Sequence, residues 1–336
     1  VVSRDKSISS IPFSRSISGS GGHLSPQGKL MNTLDATAAA HLDRILSGSQ
    51  LPGLPQSAIK VLEISRNPNN GPGELALAIE ADPGLATQVL KFVNSSYFGF
   101  SREISGVKSA ITMIGMRTIK NFVLWNAIYS LVPNPRCGPF DVKSLWQDCV
   151  RRGLFARLVG RKLKLPDAED LFVAGLLQDM AIPVLAKVLP SDYGQLLERR
   201  DHDNRRLSQL ERERFGWTHA DAAARLAIEW NLPAEFAEIL RLHSSVDTLA
   251  ERPGPADAPL VVALSSLLPA AKDGTWHEAA KFEKYLRRVI PAPDLQVEAL
   301  LAEVDEAFAE FAPVLKLPST DVSLVKRYQE SLQPVA

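Results

Sequence analysis

Apolar positions along this chain recur at steps of three and four rather than two, a pattern that predicts helices and almost no strand. Between Pro83 and Val93, the residues Leu85, Val89, Phe92 and Val93 form one stripe. Asp82 precedes it as a side-chain cap, and Pro83 suits a first helical turn. The same reasoning predicts short helices over 35–46, 57–64, 72–81, 107–114 and 116–131. Leu51-Pro52-Gly53-Leu54-Pro55, Asn94-Ser95-Ser96, Gly99 and Gly115 punctuate them. Pro133, Pro135, Gly138 and Pro139 mark a linker, beyond which helices are expected over 142–163, 168–188, 208–214, 219–230, 233–243 and 259–268. A last region repeats the pattern at 282–289, 295–311 and 321–332. There Val297, Leu301, Val304, Phe308 and Phe311 form a face that must pack on the main body or on a second copy. The expected fold class is all-α. It comprises a Ser/Gly-rich flexible tail over 1–33, a smaller helical bundle over 34–135, a second bundle over 136–270 and a helical extension over 271–336.

Composition narrows the function classes. The 38 basic residues balance the 38 acidic ones, so no global field favours nucleic acid or an anionic membrane. No apolar run is expected to span a bilayer, and no signal-peptide core follows Arg4, Lys6 and Arg15. Cys137 and Cys149, the only cysteines, argue against a disulfide scaffold and suit a reducing cytoplasm, the expected location. Gly71-Pro72-Gly73 lacks the Lys-Ser/Thr of a phosphate loop. The segment 198–213 mixes Arg199, Arg200, Arg205, Arg206 and Arg212 with acids and reads as a solvated helix surface and loop, with a phosphate-binding patch as the minority reading.

Chemistry concentrates in Leu176-Leu177-Gln178-Asp179-Met180-Ala181, an apolar helix with one carboxylate. Gln178 stands beside it where a divalent metal site would favour imidazole, and a neutral amide is a poor substitute. Around it lie Ile79-Glu80-Ala81-Asp82-Pro83-Gly84-Leu85, Lys91-Phe92-Val93-Asn94-Ser95-Ser96-Tyr97-Phe98-Gly99 and Ala110-Ile111-Thr112-Met113-Ile114-Gly115. With 51–55, Leu145-Trp146, Ala174–Asp179 and Trp230-Asn231-Leu232-Pro233, they resemble in order the motifs of the HD-related output domain, or HDOD, family over about residues 51–245. The resemblance implies a bacterial, all-helical protein, with an HD-like bundle preceded by a smaller one. It also implies kinship to metal-dependent HD phosphohydrolases, and use in signalling rather than catalysis.

Laid residue by residue on the HD pattern, the first histidine position falls at Asp148 and the His-Asp pair becomes Gln178-Asp179. A downstream histidine survives as His219, paired histidines become His243-Ser244, and the late aspartate falls at Ser266. The resemblance therefore implies a degenerate site, without catalytic residues, metal or cofactor. The residues carry plainer readings too. Asp179 is expected to cap or to pair with Arg151 or Arg152, since a buried carboxylate needs a partner. His219 begins its own helix, and His243 lies near a helix end. Asp148 leans towards an apolar face, Trp125, Trp146 and Trp230 read as packing, and Cys149 as a small buried hydrophobe. Ile182 and its apolar surroundings offer no evident groups to orient metal ligands.

The expectation is a non-enzymatic signal-transduction module that binds a protein partner or a small regulatory ligand, with a homodimer as one arrangement and nucleic acid and membrane excluded. The alternatives are a nucleotide or cyclic-dinucleotide receptor using Arg151, Arg152, Arg157 and Arg161, whose forks suit phosphate, or a residual metal-dependent HD phosphohydrolase.

Overall fold

The computed structural model describes residues 34–49, 53–166, 168–318 and 322–333, so the expected flexible tail lies outside the described residues. Among these the fold is all-α, with no strand. The first bundle comprises α1 (Ala36–Ser47), α2 (Gln56–Arg66), α3 (Pro72–Glu80), α4 (Pro83–Val93), α5 (Val107–Ile114) and α6 (Met116–Leu131). Asp82 caps α4 by accepting from the Leu85 amide at 3.1 Å, and Leu85, Val89, Phe92 and Val93 are buried. Gly99, at φ 61°, turns the chain after α4 in a conformation that glycine adopts without steric cost.

The second bundle begins with α7 (Val142–Lys162), capped by Asp141, and continues through α8 (Ala168–Leu177) and α9 (Ile182–Val188). It proceeds with α10 (Pro190–Asp203), α11 (Leu207–Phe215), α12 (His219–Glu229), α13 (Ala234–Leu242), α14 (Val246–Ala250) and α15 (Ala258–Ser265). Then come α16 (Ala279–Val289), α17 (Val297–Phe311) and α18 (Leu324–Ser331). The apolar face of α17 packs within this chain, against α7. Phe311 meets the ring edges of Phe92, at 5.8 Å between centroids, and Phe172, at 5.3 Å, so one residue joins both bundles.

Three sequence expectations change. The single helix over 168–188 is two helices with a turn at 178–181. Pro183 has no N–H to give the Asp179 carbonyl, and its ring would clash with that carbonyl in a continuous helix. The Ile182 amide serves the carbonyl instead, at 3.0 Å. That same stretch is long and apolar enough to cross a membrane, contrary to expectation, although 89% of its most apolar window is buried inside the fold. Finally, α10 begins ahead of the 198–213 run read as helix surface and loop, in a stretch where no helix was expected. Pro190 starts it, and only Tyr193, Gly194 and Leu196 are buried, too few to form a visible stripe.

The crossing of α7 and α8 fixes the site's geometry. A Cβ on Gly175 would lie 2.6 Å from the Gly153 Cα, and one on Gly153 would lie 2.6 Å from the Phe172 carbonyl oxygen. The backbones therefore nearly touch, and residues just beyond the crossing, Arg152 and Asp179, face each other. Gly175→Ala should force the helices apart and destabilise the fold by about 1–3 kcal/mol, measured by denaturant unfolding.

Candidate functional site

Asp179 follows the end of α8, in the turn that Pro183 imposes, and is 3% exposed. A carboxylate so deep requires a counter-charge. Arg152 of α7 supplies it, donating from Nη1 to Asp179 Oδ2 in an ion pair. The other oxygen, Oδ1, faces two imidazoles, with His219 Nε2 at 3.4 Å and His243 Nε2 at 3.5 Å. The two imidazole nitrogens are themselves 3.1 Å apart.

Each ring is held from behind. His219 is the first residue of α12, where Thr218 and Asp221 form a reciprocal cap. Its Nδ1 lies 2.6 Å from Glu211 Oε2, which also accepts from the His219 amide at 2.8 Å. Glu211 in turn accepts from the Tyr193 hydroxyl at 2.5 Å and is fully buried. His243 follows α13, and its Nδ1 donates to the Leu240 carbonyl at 2.6 Å. The expectation that nothing would orient ligand-type side chains is therefore overturned. Glu211, the Leu240 carbonyl and Arg152 each hold one of the three.

Burial alone would raise the Asp179 pKa, but the Arg152 guanidinium, aided by the two imidazoles, holds the carboxyl well below its usual range. Burial opposes a charged His219, yet Glu211 and Asp179 outweigh it and lift this imidazole to about 10. His243 goes the other way, because burial and the neighbouring cation both favour its neutral form.

Asp179, His219, His243, Arg152 and Asp148 line one cavity of about 170 Å³. Arg200, Arg205, Arg206 and Lys272 also line it, and each has an acidic partner, Arg206 meeting Glu278 at 3.9 Å. Arg200 meets Asp273 at 2.7 Å, Lys272 meets Asp141 at 3.6 Å, and Arg205 pairs with Glu213. Arg206 donates to Ser266 Oγ at 2.5 Å, while its buried Nη1 has no hydrogen-bond partner.

The positions singled out in the sequence separate in space. Asp179, His219 and His243 converge, whereas Gln178 is fully buried and its amide approaches Ser265 Oγ at 3.5 Å, leaving its oxygen without a hydrogen bond. Asp148 is buried and accepts from the Ala271 amide at 2.6 Å, and Ser266 lines the cavity beside Arg206. The four candidate phosphate arginines do not form a cluster. Arg151 reaches the carboxy-terminal region, donating to the Val322 carbonyl at 2.9 Å. Arg157 lies over Tyr97 and Phe172, and Arg161 pairs with Glu169. Of the four, only Arg152 lines the cavity.

Glu211 escaped notice because the charged run around it reads as solvated, whereas Arg206 was named only within that run's minority phosphate-binding reading. The signal was there: Glu211 follows Leu207 by four residues and Ser208 by three, so it shares their buried face.

The HDOD domain family matches residues 51–246, more than half of the chain, and this chain belongs to that family. An uncharacterised protein of Treponema pallidum is 25% identical over 252 residues, covering 73% of this chain and 45% of its own length. With Bacillus subtilis YuxH the match covers 32% of the relative, so the chain spans less than half the length of these curated relatives. Among solved structures, an HDOD domain protein of unknown function from Geobacter sulfurreducens has a TM-score of 0.67 at 20% identity, covering 84% of this chain and 98% of that one. A candidate signal-transduction protein from Marinobacter aquaeolei scores 0.62 at 21% identity, covering 86% and 67%. A candidate metal-dependent phosphohydrolase from Shewanella amazonensis scores 0.54 at 17% identity, covering 82% and 99%. At these identities the likeness shows the fold.

Two outcomes test the electrostatics. Arg152→Ala strands the Asp179 charge and should cost about 3–5 kcal/mol in urea unfolding, with Asp179→Asn in the same chain recovering part of the loss. Burial raises the Asp148 carboxyl from its ordinary 3.8 to about 7, against the pull of Arg152. Between those values the folded chain binds a proton that the unfolded chain releases. The stability contributed by Asp148 is thus complete below about pH 4 and is lost as pH rises through about 7. Melting curves of Asp148→Asn should lack this decline, so the variant gains on the wild type as the pH approaches 8.

Proposed function

We propose that this chain is a regulatory signal-transduction module whose cleft receives a small anionic ligand or a partner's acidic group and does not hydrolyse it. The observation carrying this reading is the Arg152–Asp179 ion pair at the centre of the cleft. In an HD hydrolase, as the resemblance implies, the aspartate and its neighbouring histidine serve metal ions. Here one oxygen of Asp179 serves an arginine, and Gln178 turns towards Ser265 rather than lining the cavity. Asp148 is engaged by the Ala271 amide. Three ligand-type groups remain at one point, too few to clamp two ions on a phosphoryl group.

Support for an anionic ligand comes from one unmatched donor in the lining. Arg200, Arg205 and Lys272 are paired with Asp273, Glu213 and Asp141, while Arg206, beside Glu278, keeps a buried N–H without a hydrogen bond. This favours the receptor reading in its broad form, through Arg206 of the 198–213 run with Arg152 rather than through Arg151, Arg157 and Arg161. The name of the Marinobacter aquaeolei neighbour agrees with a signalling role, whereas that of the Shewanella amazonensis neighbour favours hydrolysis.

Incubating the chain with Mg²⁺, Mn²⁺ or Zn²⁺ and a panel of nucleotides and cyclic dinucleotides should release neither phosphate nor linear product. Hydrolysis that disappears in Asp179→Ala overturns the regulatory reading.

A further inference from the structure

We infer that Asp179 Oδ1, His219 Nε2 and His243 Nε2 form a site for one divalent transition-metal ion of the zinc class, with its remaining position open to the cavity. The inference goes beyond the regulatory reading and does not depend on it.

The separations carry the argument. The three atoms stand 3.1, 3.4 and 3.5 Å from one another. A tetrahedral ion with bonds of about 2.0–2.1 Å spaces its ligands about 3.3–3.4 Å apart. Charge-assisted N–H···O bonds run to about 2.7–2.9 Å, so the imidazole–carboxylate distances are long for hydrogen bonds and right for atoms sharing an ion.

The tautomers point the same way. The Leu240 carbonyl can only accept, so His243 Nδ1 carries its hydrogen. Glu211 accepts from Tyr193 and from the His219 amide, and a carboxylate so placed also takes the His219 Nδ1 hydrogen. In their neutral forms both rings therefore present bare Nε2 lone pairs to the same point. Without an ion one proton on His219 bridges the pair, and a metal ion displaces that proton to take both lone pairs. Arg152 holds Asp179 Oδ2 and so turns Oδ1 towards that point.

Every candidate ligand thus has an outer partner, the arrangement that fixes ring orientation in metal sites. Two imidazoles with one carboxylate suit zinc-class ions, whereas magnesium and calcium prefer oxygen alone. Asp179 and Glu211 offset the charge of the ion and of Arg152. All three ligands line the cavity, which leaves space for a water or an anionic oxygen at the fourth position.

The test uses untagged full chain, stripped by chelator, then titrated with Co²⁺ and with Zn²⁺ against a chromophoric chelator. One equivalent of Co²⁺ should bind with the intense visible absorption of a four-coordinate ion, and Zn²⁺ should raise the melting temperature. His243→Gln and Asp179→Asn should abolish the one-equivalent binding, while Glu211→Gln should weaken it about 10–100-fold. His202→Ala, an exposed histidine outside the site, should bind as the wild type does. The inference fails if the wild type shows neither Co²⁺ absorption nor a Zn²⁺-dependent melting shift, or if His243→Gln binds one equivalent unchanged. Turnover by the loaded chain would overturn the regulatory reading while leaving this site standing.

Discussion

The charge of Asp179 has to be matched inside the protein, and much of the surrounding architecture follows from that requirement. Arg152 can reach it only because Gly153 and Gly175 let two helices approach almost backbone to backbone. The balance extends outwards through His219, Glu211 and Tyr193, a chain of buried polar groups in which each member needs the next. Replacing such a network with apolar side chains is often neutral or stabilising, whereas removing one member strands a buried charge.

The likeness to other HDOD structures concerns the scaffold, and the chemistry lies in the residues set upon it. This chain keeps the scaffold and alters the site. It loses a histidine beside Asp179, turns the replacement amide into the interior, and aims two remaining imidazoles at one carboxylate oxygen. The regulatory reading proposed above rests on this arrangement, in which Arg152 and the Ala271 amide engage Asp179 and Asp148.

Helical class and the principal site residues were legible because they depend on local pattern. Asp82 with Pro83, the stripe on α4, and the isolation of Asp179 in an apolar run all speak through near neighbours. The arginine partner of Asp179 was legible as one of two, since a buried carboxylate needs a counter-charge. Choosing between Arg151 and Arg152 required knowing what packs on each face, and Arg151 is taken by a segment 171 residues away. The break at Pro183 was open to reading, but the strength of the apolar period concealed it. Glu211 was hidden differently, because a charged run suggests solvent unless its period is followed through Leu207.

Phe311 lies outside the stretch that matches the HDOD family, yet it touches aromatic rings from both bundles within that stretch. Gln147 similarly donates to the Pro318 carbonyl at 2.9 Å. The packing of the matched stretch therefore continues beyond residue 246. A fragment trimmed to the conserved domain would bare Phe92 and Phe172 to water and strip Arg151 of its carbonyl acceptor. The stretch matched by the family model is smaller than the packed core to which it belongs.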